Sequence, residues 1–142
     1  METVTETLDS GRAWEKMKEW ILAQGGDPAV LDDPNGLPTA RFQRKILSSE
    51  EGFLFSMDAE RVGIAAGELG AGRKTKEDTI DFGAGIFLER KIGDFVRKGD
   101  CIAVLYASEL QRLDRGEEIF LSSLTFSREQ PKKNQKIAKT LY

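Results

Sequence analysis

The sequence predicts an α+β fold, with N-terminal helices, a mixed sheet with a packed helix, and small barrel-sandwich-like antiparallel hairpins. Apolar residues recur at helical spacing before Gln24. Beyond Pro38 they alternate with polar residues, as they do in a half-buried strand. After Asp78, short apolar runs are separated by glycine-containing turns, a pattern that is typical of short antiparallel strands.

Two helices are predicted in the N-terminal segment. Trp14, Met17 and Ile21 follow one another at a spacing that places them on one helical face. Ser10 is expected to cap this second helix, because a serine hydroxyl satisfies free backbone N–H groups at a helix start. The glycines after Gln24 end the helix, since glycine adopts left-handed dihedral angles at low cost.

Two strands and a helix are predicted next. Phe42 and Ile46 lie on the apolar side of the first strand, and Arg44 is the exception on that side. Residues 52–57 form the second strand. A helix over residues 59–69 follows it.

Small and capping residues shape this predicted helix. Asp58 is its expected N-terminal cap. Gly63 and Gly67 are expected to allow close packing of the helix on a sheet, and Gly70 is placed to stop it.

The remaining chain is predicted to form short strands and one helix. The strands are expected at residues 79–82, 85–89, 94–97 and 101–106. Gly-Asp pairs at 93–94 and 99–100 indicate turns between them. The last helix opens at Ser108, and Phe120 and Leu124 share one of its faces.

The composition narrows the possible chemistry. None of the 142 residues is a histidine, which excludes Ser-His-Asp and Cys-His nucleophile systems and most kinds of zinc site. The single cysteine, Cys101, cannot form an internal disulfide and begins an apolar strand, so it is interpreted as a small core residue. The composition therefore provides no histidine base and no Cys-His nucleophile, and we predict neither a metal site nor a cofactor in this chain.

Charge and hydropathy limit the expected partners. A net charge of −3 at pH 7 does not favour binding to the phosphates of a nucleic acid. No apolar run approaches the roughly 20 residues that span a bilayer. The acidic, polar N-terminus lacks the features of a signal peptide. These observations predict a cytoplasmic protein with neither nucleic acid nor membrane as a partner.

One loop is the main candidate for a functional segment. This glycine-rich loop consists of Gly70, Ala71, Gly72, Arg73, Lys74, Thr75, Lys76 and Glu77. Its glycines and basic side chains are of the kinds that bind anions. The alternative interpretation is a helix C-cap followed by a solvated charged loop. The glycines follow a helix, so the helix dipole has the wrong direction for an anion.

A second motif suggests a different class of function. Residues 93–100, with the sequence GDFVRKGD, resemble a hairpin of biotinyl and lipoyl carrier domains. Such a carrier needs an exposed lysine at a hairpin tip soon after this motif, and residues 101–110 contain none. A stand-alone barrel-sandwich binding or carrier module is kept as the alternative function.

A longer set of motifs carries a more specific resemblance. In chain order they are residues 10–13 (SGRA), 24–27 (QGGD), 37–40 (LPTA), 57–58 (MD), 62–63 (VG), 69–73 (LGAGR), 78–81 (DTID), 83–88 (GAGIFL) and 93–100 (GDFVRKGD). In order and spacing they resemble the C-terminal region of pyrimidine-nucleoside and thymidine phosphorylases. The resemblance extends from about Leu8 to Phe126.

This resemblance implies a piece of a longer enzyme. Members of the family convert a pyrimidine nucleoside and phosphate to the base and a pentose 1-phosphate. Their phosphate-binding loop, base-binding residues and dimer-forming helices lie in a region that this chain does not match. The resemblance therefore transfers no catalytic or substrate-binding residue, and it implies that this chain is inactive alone. Phosphate and pyrimidine nucleoside are expected to bind only in the full-length enzyme.

The resemblance also implies a domain organisation and a role for the glycine-rich loop. Residues 1–36 correspond to a helical segment and linker from the larger α/β domain, residues 37–127 to the C-terminal α+β domain, and residues 128–142 to a basic tail. The loop is implied to face the active-site cleft as a lid. The N-terminal helices are then expected to meet the missing domains or to self-associate, leaving Trp20 or Leu22 exposed in this chain.

Overall fold

The computed structural model describes residues 2–73 and 75–132. The chain divides into two compact units. Unit 1 comprises Met1–Pro38 and unit 2 comprises Thr39–Tyr142. The buried hydrophobic cluster of the described residues lies entirely in unit 2.

Unit 1 is built of short helices. These are α1 (Glu2–Asp9), α2 (Arg12–Ala23), α3 (Ala29–Asp32) and a 3-10 turn (Pro34–Gly36). The expected cap of α2 is wrong: Gly11 occupies the N-cap position with φ of 75°, and the Ser10 hydroxyl donates to the Thr7 carbonyl oxygen instead. Gly25, with φ of 79°, follows the end of α2 as expected.

The apolar side chains of unit 1 are exposed. Among residues 3–33 and 35–38, none is buried. Trp20 and Leu22 are 59% and 66% exposed, which confirms that expectation. Trp14 is 45% exposed.

Unit 2 is made of two antiparallel sheets and two helices. Its strands are β1 (Phe42–Leu47), β2 (Gly52–Met57), β3 (Gly85–Leu88), β4 (Phe95–Val96), β5 (Cys101–Ala107) and β6 (Leu124–Ser127). Its helices are α4 (Ala59–Ala66) and α5 (Leu110–Ser122). The sheet orders are β1-β5-β3 and β4-β2-β6.

The α+β class is confirmed, and the pairing of its strands differs in detail from the expectation. Every strand pair that the structure describes is antiparallel, so neither sheet is mixed. None of these pairs joins strands that follow one another in the chain, and the described strands do not close into a barrel. The short strands therefore interleave between two sheets instead of forming consecutive hairpins.

Two predicted elements are wrong. Residues 79–82 do not form a strand, because this segment closes a loop described below. Leu124 does not continue the last helix. It begins β6 and pairs with Met57 of β2, so cross-strand pairing overrides the helical spacing between Phe120 and Leu124.

The core of unit 2 lies between sheet β1-β5-β3 and the two helices. Ile46 and Leu105 contribute from the sheet, Leu69 from the turn after α4, and Leu113 and Phe120 from α5. Asp58 caps α4 as expected, because its Oδ1 accepts hydrogen bonds from the N–H groups of Glu60 at 3.0 Å and Arg61 at 3.2 Å.

A glycine on α5 sets the distance between the two helices. A Cβ atom at Gly116 would lie 2.6 Å from Leu69 Cδ2 and 2.8 Å from Leu69 Cγ, so a larger residue would require the buried Leu69 side chain to shift. Nothing lies within 4 Å of the corresponding positions at Gly63 and Gly67. The expectation that those two glycines mediate close packing is therefore wrong.

Arg44 on the apolar side of β1 is explained by α5. Its Nη1 lies 2.6 Å from Glu117 Oε2, and its Nη2 lies 2.8 Å from Asp114 Oδ1. These hydrogen bonds raise the pKa of the guanidinium above its ordinary value, and the one with Glu117 has the larger effect. The pair of contacts fixes α5 along the edge strand of the sheet.

Candidate functional site

The glycine-rich loop begins within the turn that follows α4. A single π-helical turn, Gly67–Ala71, continues the helix to a buried Gly70 with φ of 117°. The Gly70 carbonyl accepts a hydrogen bond from the Asp81 N–H at 2.9 Å. The two ends of the loop therefore lie next to each other, which is the geometry of an Ω-loop.

The outer part of the loop is held by a turn of its own. Asp78 accepts hydrogen bonds from the Thr75 N–H at 2.9 Å and from the Thr75 hydroxyl at 3.0 Å. Gly72 is half-buried, whereas Ala71, Arg73, Thr75, Lys76 and Glu77 are exposed. Lys74 lies outside the described residues.

Asp81 connects the base of the loop to α5. Its Oδ2 accepts a hydrogen bond from the Ser108 hydroxyl at 2.6 Å, and its Oδ1 accepts one from the Gly83 N–H at 3.0 Å. The hydrogen bond from Ser108 is the main reason that the pKa of Asp81 lies below its ordinary value. The backbone N–H groups of Gly83, Ala84 and Ser108 act in the same direction, against the effect of desolvation.

A polar cavity lies between the loop and α5. Its volume is about 600 Å³, and its walls are the turn after α4, residues 78–81 and the first two turns of α5. Arg112 and Arg115 line it from the helix. The Arg112 Nε atom also lies 3.4 Å from Glu109 Oε1.

The charges of this cavity do not favour an anion. Its lining includes four carboxylates, from Glu68, Asp78, Asp81 and Glu109, against the two guanidinium groups of α5. The carboxylates of the lining therefore outnumber its guanidinium groups, which disfavours phosphate. Within residues 2–73 and 75–132, no cluster of acidic and cysteine side chains has the arrangement of a metal site.

The family model for the pyrimidine nucleoside phosphorylase C-terminal domain matches residues 53–126, from β2 to β6. The chain belongs to this family. The match includes the glycine-rich loop, the cavity and both Gly-Asp turns. It therefore favours the phosphorylase interpretation over the carrier alternative.

Bacterial relatives agree with this assignment. The pyrimidine-nucleoside phosphorylase of Bacillus subtilis is 45% identical over 103 residues, which are 72% of this chain and 24% of that protein. The Geobacillus stearothermophilus enzyme of the same name is 38% identical over 115 residues, 81% of this chain and 27% of that protein. The chain spans about a quarter of the length of these curated relatives.

The Gly-Asp turns of the phosphorylase domain are structural. Asp94 Oδ2 accepts a hydrogen bond from the Lys91 N–H at 2.8 Å, and Asp100 Oδ2 accepts one from the Arg97 N–H at 3.0 Å. Gly93 has φ of 96°, a conformation that favours glycine. The predicted turns are confirmed, and each aspartate stabilises its own turn.

Sequence reasoning missed the side of the site that α5 provides. Arg112 and Arg115 are three residues apart on a predicted helix, so they share a face, and this spacing is a usable signal. The last helix was expected to open at Ser108, but it begins at Leu110, and the Ser108 hydroxyl donates a hydrogen bond to Asp81. That contact joins residues 27 positions apart, which no local pattern indicates.

None of the helices within residues 2–73 and 75–132 has both the length and the apolar content required to cross a membrane.

Proposed function

We propose that this chain serves as the lid-bearing C-terminal domain of a pyrimidine-nucleoside phosphorylase. The observation that carries the proposal is the loop closed at its base by Gly70 and Asp81, with its outer residues exposed. A loop of this form, attached to a rigid helix and sheet, is suited to close over a neighbouring cleft. The loop then faces the active site that the rest of the enzyme supplies.

The proposed reaction explains why a lid is useful. Phosphate attacks the anomeric carbon of the sugar while the bond from that carbon to the pyrimidine nitrogen breaks, giving the base and a pentose 1-phosphate. The sugar carries positive charge in the transition state, so water must be excluded from it. Catalysis of this glycosyl transfer depends on positioning and electrostatics and requires no cofactor from this domain.

The exposed apolar side chains of unit 1 define the proposed partner. Trp14, Trp20 and Leu22 expose about half or more of their surface. None of residues 3–33 and 35–38 is buried, and exposed apolar residues in such a segment favour a protein partner. We assign this contact to the remaining domains of the phosphorylase, with self-association as the alternative. Phosphate and pyrimidine nucleoside bind only in the full-length enzyme, in the cytoplasm, where the reaction serves pyrimidine salvage.

An activity assay of the isolated chain tests the first part of the proposal. Release of uracil from uridine, or of thymine from thymidine, is followed with phosphate present. We expect no release above the blank, because the chain contains no phosphate-binding loop of the family type. Turnover by the pure chain would contradict the assignment as a non-catalytic domain.

Complementation tests the lid. The chain is mixed with the Bacillus subtilis relative from which the matching C-terminal region has been deleted. We expect phosphorolysis to return with the intact chain and to remain low when residues 71–77 are shortened to two glycines. Lys98→Ala, in the Arg97–Asp100 turn outside the loop, is the control and is expected to complement fully. Equal complementation by the shortened variant would refute the lid.

A further inference from the structure

The glycine-rich loop is attached to the rest of unit 2 at a neck. The two chain segments of this neck meet at the hydrogen bond from the Asp81 N–H to the Gly70 carbonyl, 2.9 Å long. A Cβ atom at Gly70 would lie only 3.3 Å from Asp81 Cβ and 3.5 Å from Ala84 Cβ. The neck is therefore closely packed, and its packing involves the Asp81 side chain directly.

The same residue links the neck to the start of α5. Ser108 immediately precedes the N-cap residue of this helix, Glu109, and its hydroxyl donates to Asp81 Oδ2 at 2.6 Å. A carboxylate at the start of a 13-residue helix is also favoured by the partial positive charge of that helix end. The backbone of Asp81 therefore binds the turn after α4, and its side chain binds the residue before the cap of α5.

Two of the other acidic side chains that line the cavity make local contacts. Asp78 binds Thr75 within the loop, and Glu109 pairs with Arg112 three residues along the helix. Asp81, in contrast, joins residues 27 positions apart. The contact between Asp81 and Ser108 is therefore placed to determine how the loop is oriented over the cavity.

We propose that Asp81 is the positioning residue of the lid, closing its neck on Gly70 and fixing that neck to α5 through Ser108. The description of the loop as a lid rests on the function proposed above. The positioning role itself concerns only this chain. In this arrangement the neck of the loop has a fixed position relative to the start of α5.

Amide hydrogen exchange of the full chain tests the proposal. The variants are Asp81→Ala, Ser108→Ala and Ser108→Thr, and the matched control is Asp94→Ala, which removes an aspartate from a turn elsewhere in unit 2. We expect Asp81→Ala and Ser108→Ala to raise exchange of the amides at positions 75 and 81, which donate hydrogen bonds within the loop and its neck, by about ten-fold, as for loss of a hydrogen bond to a charged group. Exchange in α4 and β3 should stay at the wild-type rate.

Rescue separates positioning from general stability. Ser108→Thr keeps a hydroxyl at the same position and should restore wild-type exchange in the loop, and Asp94→Ala should leave the loop unchanged. Wild-type loop exchange in Ser108→Ala would overturn the proposal, as would an equal rise in Asp94→Ala. Should Asp81→Ala fail to fold, Ser108→Ala decides, because Ser108 is exposed on the surface.

The outcome is independent of the lid assignment. Faster loop exchange in Ser108→Ala, together with full complementation by the shortened loop, would support the positioning role of Asp81 and contradict the lid function of the loop. Unchanged loop exchange in Ser108→Ala, together with failed complementation by the shortened loop, would support the lid function and contradict the positioning role of Asp81. The two failures are therefore distinguishable.

Discussion

At the scale of single residues, the aspartates of unit 2 illustrate how position decides the role of one side chain. Asp94 and Asp100 each accept a backbone hydrogen bond from three residues earlier and stabilise a four-residue turn. Asp58 caps a helix. Asp81 makes a contact across the fold, with Ser108. Of these four aspartates, three therefore stabilise local structure, and Asp81 joins segments that are distant in the chain.

The lowered pKa of Asp81 predicts a pH-dependent stability. A carboxylate whose folded pKa lies below its unfolded value stabilises the fold fully above the unfolded pKa, about 3.9. That contribution is lost as the pH falls through the lower folded pKa. We expect Asp81→Asn to lower the free energy of unfolding by about 1 kcal/mol at pH 7. The difference should shrink below about pH 4.

Urea unfolding at several pH values checks this expectation. Asp32→Asn is a suitable control, because the side chain of Asp32 is 64% exposed in its ion pair with Lys18 and such pairs contribute little. A difference between wild type and Asp81→Asn that grows towards low pH would contradict the assigned direction of the pKa change.

At the scale of elements, the helices and strands depend on contacts of different range. Helix α4 has its own cap at Asp58 and its own stop at Gly70, so its ends are readable locally. Strand β6 exists because β2 provides a pairing partner at Met57 and Leu54. The helical spacing of Phe120 and Leu124 led to the wrong prediction that the last helix includes Leu124, because the spacing contains no information on the pairing with β2.

Glycine substitutions in the two helices are expected to have opposite effects. Gly116→Ala places a Cβ atom 2.6 Å from Leu69 Cδ2 and 2.8 Å from Leu69 Cγ. We expect this overpacking to lower the free energy of unfolding by about 1–3 kcal/mol. Gly63→Ala, with nothing within 4 Å, should raise it by about 0.5–1 kcal/mol.

Thermal or urea unfolding of both variants measures the effects directly. The pair is matched, since each change adds one methyl group to a helix. Stabilisation by Gly116→Ala would show that α5 moves away from Leu69 without cost, and the close packing of the two helices would not be required.

Mobility of the glycine-rich loop is expected to vary along its length. No residue between Gly70 and Glu77 has a large apolar side chain to bury, so little offsets an ordering cost of roughly 1–2 kcal/mol per residue. We expect fast amide exchange at residues 71–73, slower exchange at Thr75, whose N–H binds Asp78, and the slowest in α4. Loop protection equal to that of α4 would contradict the lid.

At the scale of the whole chain, the two units differ in what stabilises them. The hydrophobic cluster of the described residues draws on unit 2, whereas the described side chains of unit 1 are at most half-buried. A segment without a core depends on an additional surface for its stability. This difference is consistent with unit 1 being completed by a partner in the proposed phosphorylase.

Removal of unit 1 tests this division. We expect residues 39–142 to unfold cooperatively, with a urea midpoint close to that of the full chain, because the buried cluster is retained. Circular dichroism during urea unfolding provides the measurement. Loss of cooperative unfolding would show that unit 1 contributes to the core.

Both tryptophans report on the partner of unit 1. Trp14 and Trp20 are 45% and 59% exposed, so acrylamide should quench their fluorescence efficiently in dilute solution. Adding the truncated Bacillus subtilis enzyme should reduce this quenching. A reduction that depends on the concentration of the chain alone, with a matching change in sedimentation, would assign the contact to self-association.

The sequence by itself determined the α+β class, the cap of α4 at Asp58 and its stop at Gly70, the Gly-Asp turns and the family. Each of these depends on neighbouring residues or on order along the chain, which a single sequence contains. The tertiary structure decided the antiparallel pairing of non-consecutive strands, the packing of Gly116 on Leu69 and the neck formed by Asp81. These depend on distances between residues far apart in the chain, which are fixed only when the core forms.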